Sequence, residues 1–447
     1  MTDPHPFQDL ASVDALLKDA LGPYRRVVLA VSGGVDSMAL MALVARWVKA
    51  GLAPNGLIID VATVDHGLRA EAAREADWVA EQARAAGFAH ATLVWRAEKP
   101  LASVQERARE ARYALLVAHA RAVGAGAVVT AHTSDDQAET FLMRLGRGSG
   151  LDGLAGMASV RALLPDGSVE LVRPLLGLPK AAAAAVLRES GGTWLEDPSN
   201  DRSEFERVRL RQAAAHLSAL GLSNDKLALS ARRLARARVA LDTMTEERIE
   251  TLVALNSGVF ASFSREAWRG EPAEVRIRIL ARLLGAFGGA AKPARLSQVE
   301  ALEAAMTRDD RPMAQTLGGC IVSQGRTTLR LYREPPPVAA PPVPLEVGQE
   351  ILWDWRFRIR YEPGVGEGGG EGDAPDAPVV VRALGLAAYA TLRDKFRLND
   401  RPPARAAAGL PAIWSADRII AVPPLADRLP SDARFSAEFI GLKRKVR

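Results

Sequence analysis

Cysteine is nearly missing from this chain: its 447 residues hold one, Cys320. An intramolecular disulfide is therefore excluded, and so is a zinc site built on two or more thiolates. Lysine is scarce as well, with 9 against 49 arginines, so most positive charge is guanidinium. A GC-rich coding bias gives the same skew, and the excess alone names no partner. No run approaches the roughly eighteen apolar residues of a membrane span; Ala181 to Leu187 is a stretch of core length. The start, Met1-Thr2-Asp3-Pro4-His5-Pro6, lacks a basic segment followed by an apolar one. A cytoplasmic protein with no membrane partner is the expectation.

What is present is ordinary for a globular protein: 48% hydrophobic and 25% charged residues exclude wholesale disorder and collagen-like repeats. The length suggests about three domains. A net charge of +5 allows a nucleic-acid partner without demanding one. Oligomeric state is not legible, and a homodimer is among the options.

The first half alternates short β-like runs with amphipathic stretches. Strands are expected at Arg26 to Val31, Leu57 to Val64, Ala91 to Trp95, Ala127 to Thr130 and Val169 to Val172. Helices are expected between them, at Met38 to Val48, Glu71 to Ala86, Ser103 to Arg121 and Asp135 to Leu145. This alternation predicts an α/β fold with a doubly wound, mostly parallel sheet, whose ligands sit beyond the carboxyl ends of the strands. After Leu220 the strand-like runs stop and Ser223 to Leu255 reads as helix. Six prolines in the eleven residues Glu334 to Pro344 make a stiff linker. Beyond it, Ile351 to Tyr361 and Ile419 to Val422 read as strands, separated by a Gly/acid loop at Gly364 to Pro378. The expected division is a catalytic domain at 1–215, a mainly helical domain at 216–333, the linker at 334–344, and a small α+β domain at 345–447.

The strongest chemical signal is Ser32-Gly33-Gly34-Val35-Asp36-Ser37, set between a strand and a helix. Two glycines let the backbone turn tightly and aim N–H groups at an anion, and the helix adds its positive end. The lysine-bearing pattern of γ-phosphate-cleaving loops is absent, and no lysine lies near in the sequence. Val64-Asp65-His66-Gly67-Leu68-Arg69 ends the second strand on the same sheet edge. His66 is placed there to stack on a base or meet a phosphate; a structural turn around Gly67 is the plain alternative. Glu106, Arg109 and Arg112 share a helix face, followed by Tyr113; they suit a phosphate or, equally, a solvated ion-paired face.

The segment Thr130-Ala131-His132-Thr133-Ser134-Asp135-Asp136-Gln137-Ala138-Glu139-Thr140 also starts where a strand ends. Asp135 and Glu139 fall on one helix face and can converge on a cation. Ser134 and Gln137 have capping-box spacing, a purely structural reading of the same residues. Between Phe205 and Arg238 stand eight Lys/Arg and two Asp/Glu, a density suited to a phosphate backbone.

The loop resembles the signature of the PP-loop ATP pyrophosphatases, which split ATP between the α and β phosphates. The wider series S-G-G-V-D-S, V-D-H-G-L-R, A-R-x-x-R-Y, A-H-x-x-D-D-Q-A-E-T-x-L-M-R-L-x-R-G-S-G-x-x-G-L, R-P-L-L and D-x-S-N-D is similar to the long-form tRNA(Ile)-lysidine synthetase family. The likeness covers about residues 24–215 and, more faintly, 389–430. It implies that Ser32, Gly33, Gly34, Val35, Asp36, Ser37 and His66 bind ATP, with Asp36 also holding Mg²⁺. It implies catalytic roles for Asp36, Arg112, Asp135, Asp136, Glu139, Arg207 and Arg211, and a site for free L-lysine at Asp135, Glu139 and His132. The implied partner is tRNA(Ile) with a CAU anticodon, whose wobble cytidine is adenylylated and then joined to lysine. Two positions depart from the pattern: Thr133 replaces a frequent second histidine and Val208 a frequent asparagine. The competing readings are a tRNA thiolase, which the lone cysteine disfavours, a small-molecule amidating ligase, and a non-catalytic RNA-binding protein gated by nucleotide.

Overall fold

The computed structural model describes residues 10–67, 71–96, 104–164, 167–196, 206–289, 293–308, 311–335, 341–362, 377–395, 401–426 and 434–442. The chain divides into two compact units, Met1–Val239 and Ala240–Arg447.

The first unit runs α1 (Leu10–Leu21), β1 (Arg26–Ala30), α2 (Val35–Lys49), β2 (Ile58–Asp65), α3 (Ala72–Ala85), β3 (Ala89–Val94), α4 (Val104–Val123) and β4 (Ala127–Val129). It continues with α5 (Ser134–Leu145), α6 (Leu151–Leu154), β5 (Val160–Ala162), β6 (Glu170–Val172), α7 (Lys180–Glu189), α8 (Glu206–Ala219) and the start of α9 (Asn224–Leu252). The six strands form one sheet in the order β3-β2-β1-β4-β6-β5. All pairings are parallel except that of β5 with β6. The expected doubly wound, mostly parallel sheet is what the chain forms.

The β-branched run Val27-Val28-Leu29 shows why. Val27 and Leu29 face the cluster made by α1, α2, α3 and α7, with Leu17, Leu40, Trp47, Val79 and Ala183. Val28 faces the opposite cluster, with Leu116 and Ala120 of α4 and Leu171 of β6. A strand buried on both faces needs apolar residues at every position, which is the mark of a parallel sheet between helical layers. Each such fully buried aliphatic side chain contributes about 1.5–3 kcal/mol. The sheet order also places a topological switch between β1 and β4, where connections leave in opposite directions.

The second unit corrects the expectation that strands stop after Leu220. After α9 come β7 (Phe260–Ser264), α10 (Arg265–Gly270), α11 (Ala273–Gly288), α12 (Leu296–Arg308), β8 (Met313–Leu317), β9 (Cys320–Gln324) and β10 (Thr328–Arg333). The four strands pair antiparallel in the order β7-β10-β9-β8. One face of this sheet is covered by α10, α11 and α12, and on the other Phe260, Ile321 and Tyr332 join a second core with Leu345 and Trp353, while Arg330 and most of β8 are exposed. The apolar residues are divided between two cores in short runs, which sequence reasoning passed over.

Next are β11 (Val343–Pro344), β12 (Glu350–Trp353), β13 (Phe357–Tyr361), β14 (Val379–Ala383), α13 (Leu386–Leu392), α14 (Ala404–Ala408), β15 (Pro411–Ser415), β16 (Arg418–Ala421) and β17 (Phe435–Phe439). They make two further antiparallel sheets, β11-β14-β15-β16 and β12-β13-β17. The single strand expected over Ile351 to Tyr361 is a hairpin, turned at Asp354 (φ 46°) and Trp355 (φ 57°). A tight hairpin turn needs positive φ and usually advertises it with Asn-Gly or Asp-Gly; Asp-Trp hides it. The expected linker ends inside β11, and its residues 336–340 lie outside the described part. So do residues 364–376 of the Gly/acid loop. No helix among the described residues is long and apolar enough to cross a membrane.

Candidate active site

A cavity of about 640 Å³ opens over the switch between β1 and β4, within the range of about 300–1,000 Å³ usual for small-molecule sites. Ser32, Gly34, Val35, Asp36 and Ser37 form one wall, and Thr130, Ala131, His132 and Asp136 another. Two sequence segments about a hundred residues apart meet because parallel neighbours end on the same edge of the sheet.

The loop after β1 is closed by its own serines. Ser37 Oγ donates to Gly34 O (2.9 Å), accepts from Ser32 N (3.2 Å), and lies 3.3 Å from Ser32 Oγ. Gly33 sits at φ +88°, and a Cβ there would come within 2.9 Å of Leu195 Cδ1 and 3.3 Å of Val79 Cγ2. Leu195 N donates to Gly33 O at 2.9 Å, pinning the loop from outside. The positive φ favours glycine at this position, and a Cβ would in addition have to displace the tip of Leu195.

Asp36, in the first turn of α2, is the electrostatic centre. Its Oδ2 meets Lys180 Nζ at 3.0 Å, while its Oδ1 is buried with no hydrogen-bond partner. Burial raises the Asp36 pKa above the ordinary carboxylate value, and the nearby Asp136 charge adds to that; Lys180 and Arg211 oppose it. Arg211 donates to Glu139 Oε1 at 2.6 Å. Burial works against the Arg211 charge, but the Glu139 hydrogen bond and the acids Glu139, Asp136 and Asp36 outweigh it and raise its pKa. Two cations and three carboxylates thus interleave at one end of the cavity.

The capping box of α5 is displaced by one residue from expectation. Thr133 is the N-cap, and Asp136 Oδ2 accepts from Thr133 N (2.8 Å) and Thr133 Oγ1 (3.1 Å). Thr133 thus has a local task that needs no imidazole. Gln137 turns away to a backbone loop, giving Nε2 to Met157 O and taking Met157 N, while a Cβ at Gly156 would fall 2.6 Å from Gln137 Oε1. Arg144 donates to Gly153 O (2.7 Å) and Gly156 O (3.0 Å). Gln137 and Arg144 of the long string thus hold the glycine-rich turn behind it.

Asp135 and Glu139 do not converge on a common point. Asp135 accepts from Lys180 N (2.8 Å) and Asn224 Nδ2 (2.8 Å), and Glu139 accepts from Arg211; Asp136 is the acid of α5 that lines the cavity. His132 also lines it, its Nδ1 2.9 Å from Thr130 Oγ1. His66 stands behind the wall: Arg112, a lining residue, donates to His66 Nε2 at 3.3–3.4 Å, and the His66 ring meets Trp95 edge-on. Arg109 stacks over Tyr113 at 5.3 Å, and both line the cavity. Leu68, Arg69 and the D-x-S-N-D run at 197–201 lie outside the described residues; Arg207 belongs to α8, with its side chain likewise outside.

Lys180 and Glu75 are the lining residues that sequence reasoning missed. The absence of a lysine near the loop holds in sequence and fails in space. Its one signal is indirect: Pro179-Lys180 opens a helix just beyond R-P-L-L, where a third helix start reaches the same sheet edge.

The glycine-bearing anion loop at the switch point, Asp36 and the cations around it all lie within residues 8–217, the stretch matched by the PP-loop domain family, so the class is that of a PP-loop ATP-binding enzyme. Relatives narrow the class. The tRNA(Ile)-lysidine synthase of Ruegeria pomeroyi is 41% identical over 408 residues, 90% of this chain and 89% of that protein. The tRNA(Ile)-lysidine synthase of Rhodopseudomonas palustris is 44% identical, over 69% of this chain and 91% of its own. That of Bradyrhizobium diazoefficiens is 45% identical, over 66% and 86%. The chain belongs to the tRNA(Ile)-lysidine synthase family.

Proposed function

We propose that this protein joins free L-lysine to C2 of the wobble cytidine of a tRNA(Ile) with a CAU anticodon, using ATP and releasing AMP and pyrophosphate. The observation that carries the reading is the meeting of the Ser32–Ser37 loop with His132 and Asp136 in one cavity. The cavity gives the phosphates backbone donors and gives an amine an acid at the neighbouring wall.

In the first step the cytidine O2 attacks the α-phosphorus of ATP. The bond to the α,β-bridging oxygen breaks, and its electron pair leaves on pyrophosphate. In the second, the uncharged ε-amine of lysine attacks C2, the C2–O2 bond breaks, and AMP departs with that oxygen. Free lysine has a side-chain pKa of about 10.4, so the amine must give up a proton first. Asp136 and His132 are the lining groups placed to hold the ammonium and take the proton. Arg112, fixed by His66, and Arg211, fixed by Glu139, steady the α-phosphate and the departing AMP; Arg207 is assigned to the same task. Asp135 serves by holding the start of α7.

The donor set fits Mg²⁺. Asp36 carries a buried oxygen without a partner, Asp136 is its acidic neighbour, and no group of three His, Cys, Asp or Glu side chains is gathered for a metal among the described residues. A cation held by one or two carboxylates and completed by substrate phosphates is the usual Mg²⁺ arrangement. When bound it supplies charge neutralisation to the phosphates. The arginine-rich segment 205–238 is assigned to gripping tRNA on its charge, and the expected domains at 216–333 and 345–447 on the names of the relatives alone.

The test uses purified protein, ATP, Mg²⁺ and radiolabelled lysine, with and without unmodified tRNA(Ile) bearing CAU. Acid-precipitable label that depends on tRNA and ATP, and vanishes in Asp36→Asn, supports the reading. AMP release with a different nucleophile, and no lysine incorporated, overturns the lysine assignment.

A further inference from the structure

We propose that Lys180 is a pyrophosphate-binding residue, parked on Asp36 until nucleotide arrives. The inference rests on the ATP reading above and assigns a role to a residue that the sequence motifs do not include.

Four observations lead to it. Lys180 Nζ lies 3.0 Å from Asp36 Oδ2 and lines the same cavity as Ser32, Gly34 and Ser37. It is the first residue of α7, where a cation works against the helix dipole; local rules are commonly broken at functional positions. The base of its side chain is fixed twice, because Lys180 N donates to Asp135 Oδ2 at 2.8 Å and Ser134 N donates to Leu178 O at 2.9 Å. Its side chain is nevertheless 39% exposed, so the ammonium can move on its stem.

The other cations of the cavity have different partners. Arg211 is bound to Glu139, Arg112 donates to His66, and Arg109 stacks on Tyr113. Lys180 differs in that its partner, Asp36, is the acid a phosphate-bound cation would claim. Once that cation takes Asp36, the displaced ammonium faces the anion loop. A compact ammonium with three donors on a flexible stem can follow an anion whose charge grows as the α,β P–O bond breaks. Because Asp36 and Lys180 pair with each other, ATP with its cation replaces an internal contact at this point of the cavity.

The test compares wild type with Lys180→Met and Lys180→Arg as full chains. Binding of inorganic pyrophosphate with Mg²⁺ is measured by calorimetry without tRNA or lysine, beside the KM values for ATP and lysine. Lys180→Met is expected to weaken pyrophosphate binding and raise KM for ATP by about tenfold or more, as for loss of a charged hydrogen bond. KM for lysine should stay within about twofold, and Lys180→Arg should recover most of the binding. Unchanged pyrophosphate affinity in Lys180→Met, or no measurable pyrophosphate binding by wild type, overturns the proposal and leaves Lys180 a counter-ion. A wild type that binds pyrophosphate through Lys180 yet makes no lysidine removes only the substrate assignment. Should Lys180→Met not fold, Lys180→Gln gives the same readout.

Discussion

Two charge clusters, one in each unit, are built from the same residue types to opposite ends. In the second unit Asp354 Oδ2 accepts from Arg333 Nε and Arg356 Nε, both at 2.9 Å, and Oδ1 accepts from Arg333 Nη2 at 3.2 Å. Arg356 is fully buried, and its Nη2 reaches Gly409 O. Both carboxylate oxygens are spent inside the protein. In the first unit Asp36 spends one oxygen on a partly exposed lysine and keeps the other buried and unmatched over a cavity. In the second unit's cluster the carboxylate is fully paired, and the atom left unmatched is a guanidinium nitrogen, Arg356 Nη1, sealed in the interior. In the first unit's cluster the unmatched atom is a carboxylate oxygen beside a cavity, where a ligand can offset its desolvation.

That contrast is open to direct attack. Asp36→Asn should lower lysine incorporation by about 10³-fold or more, the scale for loss of a group that orders transferring phosphates. Its melting temperature should stay within about 2 °C of wild type, since the desolvated charge is removed along with its function. A variant that melts early and keeps its activity would make Asp36 a structural acid. Gly33→Ala should follow, with ATP affinity down by about tenfold to a hundredfold, because positive φ and the 2.9 Å approach to Leu195 both resist a Cβ. Nucleotide titration of the purified variant reads this directly.

Asp354→Ala should invert the pattern. It strands a buried guanidinium and should cost about 3 kcal/mol of stability, the low end for broken buried pairs because Asp354 keeps some solvent contact. Its kcat at low temperature should be close to normal, and denaturant unfolding separates the two effects. The smallest effect belongs to Cys320, whose thiol burial pushes up to about 12. Thiol reagents near neutral pH should label it only on unfolding and leave activity intact. Its native pKa lies above the ordinary 9.0, so the folded state holds its proton longer than the unfolded state. The resulting stability is fully present below pH 9.0 and drains away as pH rises towards about 12, which alkaline melting curves would register.

Legibility in the sequence followed burial. The parallel sheet showed itself because Val27, Val28 and Leu29 must all be apolar, and the anion loop because its turn takes a positive φ at Gly33. The antiparallel sheet of Phe260 to Arg333 stayed hidden, its strands being short, its outer strand β8 mostly exposed, and its apolar residues split between two cores. Lys180 was invisible for a different reason: only the folding of β6 and α7 onto the switch point brings it to Asp36. The α5 acids were seen but not their partners, since i, i+4 spacing describes a helix face and says nothing of what other elements bring to it. Asn224 and the α7 backbone claim Asp135, and Arg211 claims Glu139.

Gly156, at φ +74°, rests against the amide of Gln137, on the helix that also presents Asp136 to the cavity. A methyl group added there pushes on that amide and on the two bonds it makes to Met157, and through the side chain on α5. In a genetic screen, then, residue 156 should score among the lost-function alleles beside Asp36, although it is not among the residues that line the cavity. Tolerance of bulky residues at that position would show that the turn yields before the helix does.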